Sequence, residues 1–285
     1  MKKHNEFEIL LHDDDELSDI ERIPVISRET LQEWPLSIVE RIIFSDGTSR
    51  IYKAFHNLPI ETEFYRIVRS QYIPKIFYNY SDDNQHHWLL LEDVVGQPPD
   101  NLNEEQMLDI AFHARKIICG IGSAEPYRYN LSERYYHNFL NSTIGLLRKL
   151  YQEDKLKKVD RMAIDRIEES LSHSEVWCIV RGKCALLHGD LKCNNILIRP
   201  DGEMIIIDWQ SILFGPEEID IYNLLANQDI DPVQIAGIGP EILRSALIIK
   251  WLADCIDCWL PYWAKFYDEK IADIEKHIQN VVKNN

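Results

Sequence analysis

The stretch LLHGDLKCNNILIRPDGEMIIIDW, residues 186–209, limits what this chain can fold into more than any other. Two apolar runs, NILI and EMIII, flank Pro-Asp-Gly, and Asp-Gly between such runs is a hairpin signal. A dense polar loop, HGDLKCNN, leads into the hairpin from a further apolar run, CALL. A two-residue turn at Asp201-Gly202 sets Asn195 opposite Asp208 at the open end, Cα atoms roughly 4.5–5.5 Å apart. A three-residue turn shifts that pairing by one position without separating the two. Asp190 stands five residues before Asn195 in the same loop. One amide and two carboxylates here are hard oxygen donors. They suit Mg²⁺, which takes few protein ligands and completes its shell with phosphate and water. Asn194, one residue off, is expected to serve the loop backbone.

Around this block the chain has two textures. The first ninety or so residues read as strands with one helix. SIVERIIF and TSRIYKAF form a hairpin turning at Asp46-Gly47, IETEFYRIVRS reads as a short helix, and IPKIFYNY and HHWLLLEDV as two more strands. After the turn-rich GQPPDNLN, helical patterns run over roughly 103–120, 131–151, 155–179, 216–228 and 239–281, interrupted by the β insertion at 186–208. This predicts an α+β chain with a small β-rich lobe over residues 1–94 and a larger, mainly helical lobe over 95–285. A chain of 285 residues is long enough to give each lobe a core.

Charge narrows the partners. The net charge of −16 argues against nucleic-acid binding and against adhesion to an anionic membrane, and it is compatible with cationic ligands. Of the six cysteines only Cys255 and Cys258 form a C-x-x-C, and no second pair or histidine cluster completes a zinc site. They read as reduced, mostly buried thiols, which together with an N-terminus lacking a sustained apolar region sets the expected location as cytoplasmic. No window of about 18 uncharged apolar residues is present, so no membrane span is expected.

His188-Gly189-Asp190, four residues, then Asn195 is the spacing of a kinase catalytic loop with Gly in place of Arg. Asp208-Trp209-Gln210 stands where kinases carry Asp-Phe-Gly. With GPEEIDIYNLL following, these ordered blocks resemble the aminoglycoside phosphotransferase and choline kinase-like family over most of the chain. The resemblance implies a two-lobed, protein-kinase-like fold and an ATP- or GTP-dependent transfer of phosphate to a small-molecule hydroxyl. It implies that Asp190 orients the acceptor hydroxyl and takes its proton, and that Asn195 and Asp208 hold Mg²⁺. It assigns Lys53 of RIYKAF to the nucleotide phosphates, held by a helix glutamate. Helical spacing puts Glu61 on the face of Phe64, Tyr65 and Val68, and Glu63 on that of Arg66 and Ser70, so Glu61 is chosen. The backbone around Glu92 to Val94 is implied to receive the adenine. Asp220 is implied to brace the catalytic loop, with His188 as hydrogen-bonding support. Lys192 points either to solvent or to the γ-phosphate.

One part departs from the pattern. VISRETLQEWP, where a glycine-rich phosphate loop belongs, contains no glycine. Backbone N–H groups can still cap a phosphate there, although close approach is harder.

For the acceptor, Glu217 and Glu218 follow the metal loop, and KWLADCIDCWLPYW, which reads first as a core helix, carries Trp251, Asp254, Trp259, Tyr262 and Trp263. Carboxylates and aromatic faces favour an amine-bearing acceptor, aminoglycoside-like ahead of choline-, ethanolamine- or other metabolite-like alcohols. Two rivals remain in view. A metallophosphatase would need further His or Asp ligands on other loops. A pseudokinase binding module would fit the missing glycines but not the intact Lys53, Asp190, Asn195 and Asp208.

Overall fold

The computed structural model describes every residue except Asn5, Leu58, Asn101, Ser123, Ala124, Pro126, Asn227, Asp229 and Asn285. The chain divides into two compact units. One comprises Met1–Asn101, Ala124–Pro126 and Cys193–Ser211, and the other Leu102–Ser123, Tyr127–Lys192 and Ile212–Asn285.

The first unit is built on helix α1 (Asp14–Glu21) and a five-stranded antiparallel sheet of β1 (Val25–Trp34), β2 (Ser37–Phe44), β3 (Ser49–His56), β4 (Ile76–Ser81) and β5 (His86–Glu92). Their order across the sheet is β1-β2-β3-β5-β4. Strand β2 alternates half-buried and buried positions, so Ile38, Ile42 and Phe44 enter the core with Tyr52, Ala54, Trp88 and Leu90. The β2–β3 turn follows from Asp46-Gly47. Gly47 has φ +84°, and the Asp46 carboxylate accepts from the Thr48 amide at 2.9 Å and its hydroxyl at 2.7 Å. Helix α2 (Ile60–Ile67) ends three residues before the expected Ser70 and buries Glu61, Thr62, Phe64 and Tyr65.

Two elements of this unit go beyond the periodicity. Helix α1 has a capping box formed by Asp13 and Glu16, and its Leu17 joins Ile9 in the sheet's core. The glycine-free VISRETLQEW is the edge strand β1, joined to β2 by a tight turn at Pro35-Leu36. A strand, not an open loop, therefore occupies this stretch.

The hairpin that began the sequence reading is β6 (Ile196–Ile198) and β7 (Met204–Ile206), and it packs within this first unit although residues 95–285 read as one helical lobe. Gln97 and Ile198 exchange both backbone hydrogen bonds, at 3.0 and 2.9 Å, and the Ile206 amide donates to Tyr72 at 2.9 Å. Gly96 permits this approach, since a Cβ there would lie 3.0 Å from the Ile198 carbonyl oxygen. Arg199 also pairs with Glu92 at 2.6 Å.

The second unit contains α3 (Glu104–Ile121), α4 (Glu133–Gln152), α5 (Arg161–Leu171), α6 (Ser174–Val180), α7 (Glu218–Ala226), α8 (Pro232–Ala236), α9 (Ile238–Asp254) and α10 (Ala264–Asn284). Its two short strands, Cys184–Leu187 and Leu213–Pro216, pair antiparallel. The helix expected over 155–179 is two helices, because His173 turns extended and its ring caps α6 through the Glu175 amide. The helix expected over 239–281 breaks after Asp254. A π turn spans Cys255–Trp259, then Pro261, which has no amide hydrogen to donate, opens a 3-10 turn. Among the described residues no helix is long and apolar enough to cross a membrane.

Candidate active site

Strand β3 carries Lys53 and α2 carries Glu61, both inside the first unit. The Lys53 ammonium lies 2.8 and 3.1 Å from the two Glu61 oxygens and 2.8 Å from Asp208 Oδ1. Glu63, on the other helix face, pairs instead with Arg66 at 2.6 Å. Burial alone would push the Lys53 pKa down, but Asp208 and Glu61 outweigh it and hold the pKa above its ordinary value. Burial, with the Asp208 charge in support, raises that of Glu61 against the pull of Lys53. These groups line a partly enclosed pocket, together with Gln32, Ser37 and Gln210.

Asp208 has φ +67°, a left-handed conformation that Asp tolerates better than most residues. It sits immediately before the 3-10 turn Trp209–Ser211. Trp209 is buried and stacks on Phe64 at 4.3 Å.

The hairpin register differs from the two-residue expectation. Ile196 pairs with Ile206, Arg199 donates to the Glu203 carbonyl, and Gly202 has φ +88°. Pro200, Asp201 and Gly202 therefore form a three-residue turn, a type I turn closed by a left-handed glycine. The added residue moves the partner of Asn195 to Ile207, whose amide donates to the Asn195 carbonyl at 3.0 Å. Asp208 is one position further along. Asn195 is 5% exposed, whereas Asn194 is exposed.

Among the described residues no group of three or more His, Cys, Asp or Glu side chains is arranged to hold a metal ion. The hard oxygen donors at this end of the hairpin are the Asp208 carboxylate and the Asn195 amide, a pair offset by one position in the register. Its chemistry fits a Mg²⁺ ion that arrives already carrying phosphate oxygens.

The second unit holds the other half of the polar loop. His188 is fully buried, and its ring accepts from the Asp190 amide at 3.3 Å. Asp220 accepts from the amides of His188 at 2.8 Å and Gly189 at 2.9 Å, and Asn223 donates to the Gly189 carbonyl at 3.2 Å. Burial raises the Asp220 pKa, opposed by His188, Arg115 and those two amides. Gly189 has φ +82°, so a glycine is needed where the kinase pattern has Arg. Asp190 itself is 2.9 Å from the Lys192 ammonium.

Glu92 donates its amide to the Lys75 carbonyl at 2.8 Å, and Val94 lies just beyond the end of β5. Glu217 meets Lys183 at 3.1 Å and Arg115 at 3.5 Å. Asp254 is bound by Lys250 at 2.5 Å and by the Tyr129 hydroxyl at 3.1 Å. The Trp259 ring lies 5.6 Å from the Arg128 guanidinium, and Trp251 packs edge-on against Tyr267. One Glu218 oxygen is buried without a hydrogen-bond partner. Sequence reasoning missed Arg128, Lys250 and Gln210. Lys250 was readable, since it stands four residues before Asp254 on a helix.

The chain matches the model of a family described as the phosphotransferase enzyme family over residues 42–242. No curated protein matches it in sequence. In fold it is similar to a thermostable mutant of aminoglycoside phosphotransferase APH(4)-Ia, with a TM-score of 0.64, 14% identity, and coverage of 95% of this chain and 99% of that one. It is also similar to APH(2")-IIa, solved with streptomycin and ATP, with a TM-score of 0.58, 14% identity and coverage of 93% and 99%. A third is a putative fructosamine-3-kinase from Thermobifida fusca YX-ER1, with a TM-score of 0.55, 14% identity and coverage of 94% and 98%. With its ordered motifs, its mixed α and β elements and a family match of this extent, the chain belongs to the phosphotransferase enzyme family and is a small-molecule phosphotransferase.

Proposed function

We propose that the chain transfers the γ-phosphate of ATP or GTP to a hydroxyl of a small, amine-bearing molecule. An aminoglycoside-like acceptor comes first, and choline-, ethanolamine- or other metabolite-like alcohols second. The observation that carries this reading is the Lys53 ammonium, held charged between Glu61 and Asp208 in a partly enclosed pocket. Such a cation is a counter-charge for the α- and β-phosphates, and Glu61 fixes its position. The backbone from Glu92 to Val94 takes the purine ring. A Mg²⁺ ion held by Asn195 and Asp208 would, when bound, offset the charge of the β- and γ-phosphates. Asp190 orients the acceptor hydroxyl and takes its proton as the new O–P bond forms and the bond to the β-phosphate oxygen breaks. His188 and Asp220 keep that loop in shape. Positioning and charge neutralisation then supply most of the rate.

Lys192 acts on the γ-phosphate. Both it and Asp190 are about two-fifths exposed, so their ion pair contributes at most about 1 kcal/mol to stability. Lys192→Ala is therefore expected to keep its melting temperature. Turnover should fall by roughly tenfold or more, beyond any loss of nucleotide affinity. Wild-type kinetics in the variant would return Lys192 to solvent.

Two observations support an amine-bearing acceptor. The net charge is −16, and structural neighbours were solved with hygromycin B and with streptomycin. Trp251 offers an aromatic face, while Glu217 and Asp254 contribute less than their charges suggest, because Lys183 and Arg115 already neutralise the first and Lys250 the second. The test measures nucleoside diphosphate release over a panel of acceptors at low and high salt. Cationic acceptors should be preferred, with a KM that rises with ionic strength. Efficient phosphorylation of a neutral sugar, without salt dependence or response to cationic acceptors, would overturn the acceptor class. Nucleotide binding without turnover on any acceptor would point to the pseudokinase reading.

A further inference from the structure

Gln210 lies where the kinase pattern has a glycine, and its side chain has a partner in the pocket. Its Nε2 donates to Asp208 Oδ2 at 3.3 Å, and it lines the same cavity as Lys53, Glu61 and Asp208. The orientation of the amide follows from chemistry, since only its nitrogen can face a carboxylate.

The backbone beside Asp208 is fixed by other groups. The Trp209 amide donates to Glu61 Oε1 at 3.2 Å, and its indole donates to the Ile206 carbonyl at 2.9 Å. The Asp208 carboxylate, in contrast, still has its own side-chain torsions. Lys53 holds Oδ1 at 2.8 Å, but that ammonium is also bound to Glu61 and is the counter-charge a phosphate would draw on. When phosphates compete for Lys53, the Gln210 amide still holds the other oxygen. It does so without adding charge to a pocket that already contains two carboxylates.

We propose that Gln210 is a positioning residue that keeps the Asp208 carboxylate oriented for a divalent cation while Lys53 serves the nucleotide phosphates. This rests on the nucleotide reading given above. Groups that orient a metal-binding side chain commonly change metal affinity by about 10–100-fold when removed.

The experiment uses the full chain and Gln210→Met, which keeps the volume and removes the donor, with Gln210→Asn as a second variant should the first fail to fold. Thermal stabilisation by ATP or GTP is followed as Mg²⁺ is titrated, and again in EDTA, alongside kcat and KM. For Gln210→Met the Mg²⁺ concentration for half-maximal stabilisation should rise about tenfold, with nucleotide binding in EDTA kept within about twofold. Gln210→Asn, whose amide falls short by one methylene, should shift the Mg²⁺ midpoint in the same direction. An unchanged Mg²⁺ midpoint in a folded variant would overturn the proposal. So would an equal loss with and without Mg²⁺, which would make Gln210 a direct nucleotide contact. A wild-type protein that no nucleotide stabilises would overturn the nucleotide reading itself, and this proposal with it.

Discussion

Replacing Asp190 with Asn should lower turnover at least about a hundredfold while nucleotide binding is largely kept. Positioned general-base groups contribute about 10²- to 10⁴-fold, and Asn keeps the shape while removing the group that takes the proton. The fold should not confuse the result. The loop around Asp190 is braced by Asp220 through the amides of His188 and Gly189, and by Asn223 through the Gly189 carbonyl, none of which the substitution touches. The Asp190 side chain is itself 41% exposed, so its loss leaves no buried charge behind. The measurement is steady-state kinetics with a phosphorylated acceptor, paired with nucleotide titration. Near-normal turnover in the variant would remove Asp190 from the reaction.

Asp208→Asn should abolish the Mg²⁺-dependent part of nucleotide stabilisation, whereas Asn194→Ala should change it by less than about twofold. Asn is chosen over Ala at position 208 because the backbone there has φ +67°, where Asn costs little and a Cβ-bearing apolar residue costs roughly 1–2 kcal/mol. Lys53 keeps Glu61 at 2.8 Å in that variant, so its buried ammonium stays compensated and the pocket should not collapse. Asn194 is exposed and Asn195 buried, which is why the two neighbouring amides should behave differently. Melting temperature against Mg²⁺ concentration at fixed nucleotide reads both variants. Full Mg²⁺ response in Asp208→Asn, or its loss in Asn194→Ala, would place the cation elsewhere.

Much of the pocket was legible from local spacing. The choice of Glu61 over Glu63 needed only the helical period, because Glu61 shares the buried face of Phe64 and Tyr65 while Glu63 faces solvent with Arg66. Asp46-Gly47 and Asp201-Gly202 announced both hairpins through the positive φ that glycine supplies. Gly189 and Pro261 likewise carry their own physical instructions, one for a left-handed turn and one for a helix break, although a long apolar pattern masks the second.

What the chain does at longer range was decided only by the tertiary structure. Whether Asn195 faces Asp208 or Ile207 depends on one residue in the β6–β7 turn, and side-chain period says nothing about turn length. Residues Cys193–Ser211 cluster with Met1–Asn101 because Gln97 and Tyr72 offer backbone partners more than a hundred residues away in sequence, and Gly96 leaves room for the approach. The charge of the candidate acceptor residues changed most. Asp254 and Glu217 read as free carboxylates until the fold brought Tyr129, Arg115 and Lys183 to them, and Lys250, one helical turn before Asp254, closed on it. Composition counts charges, but only the packed chain decides which are neutralised from within and which are left for a ligand.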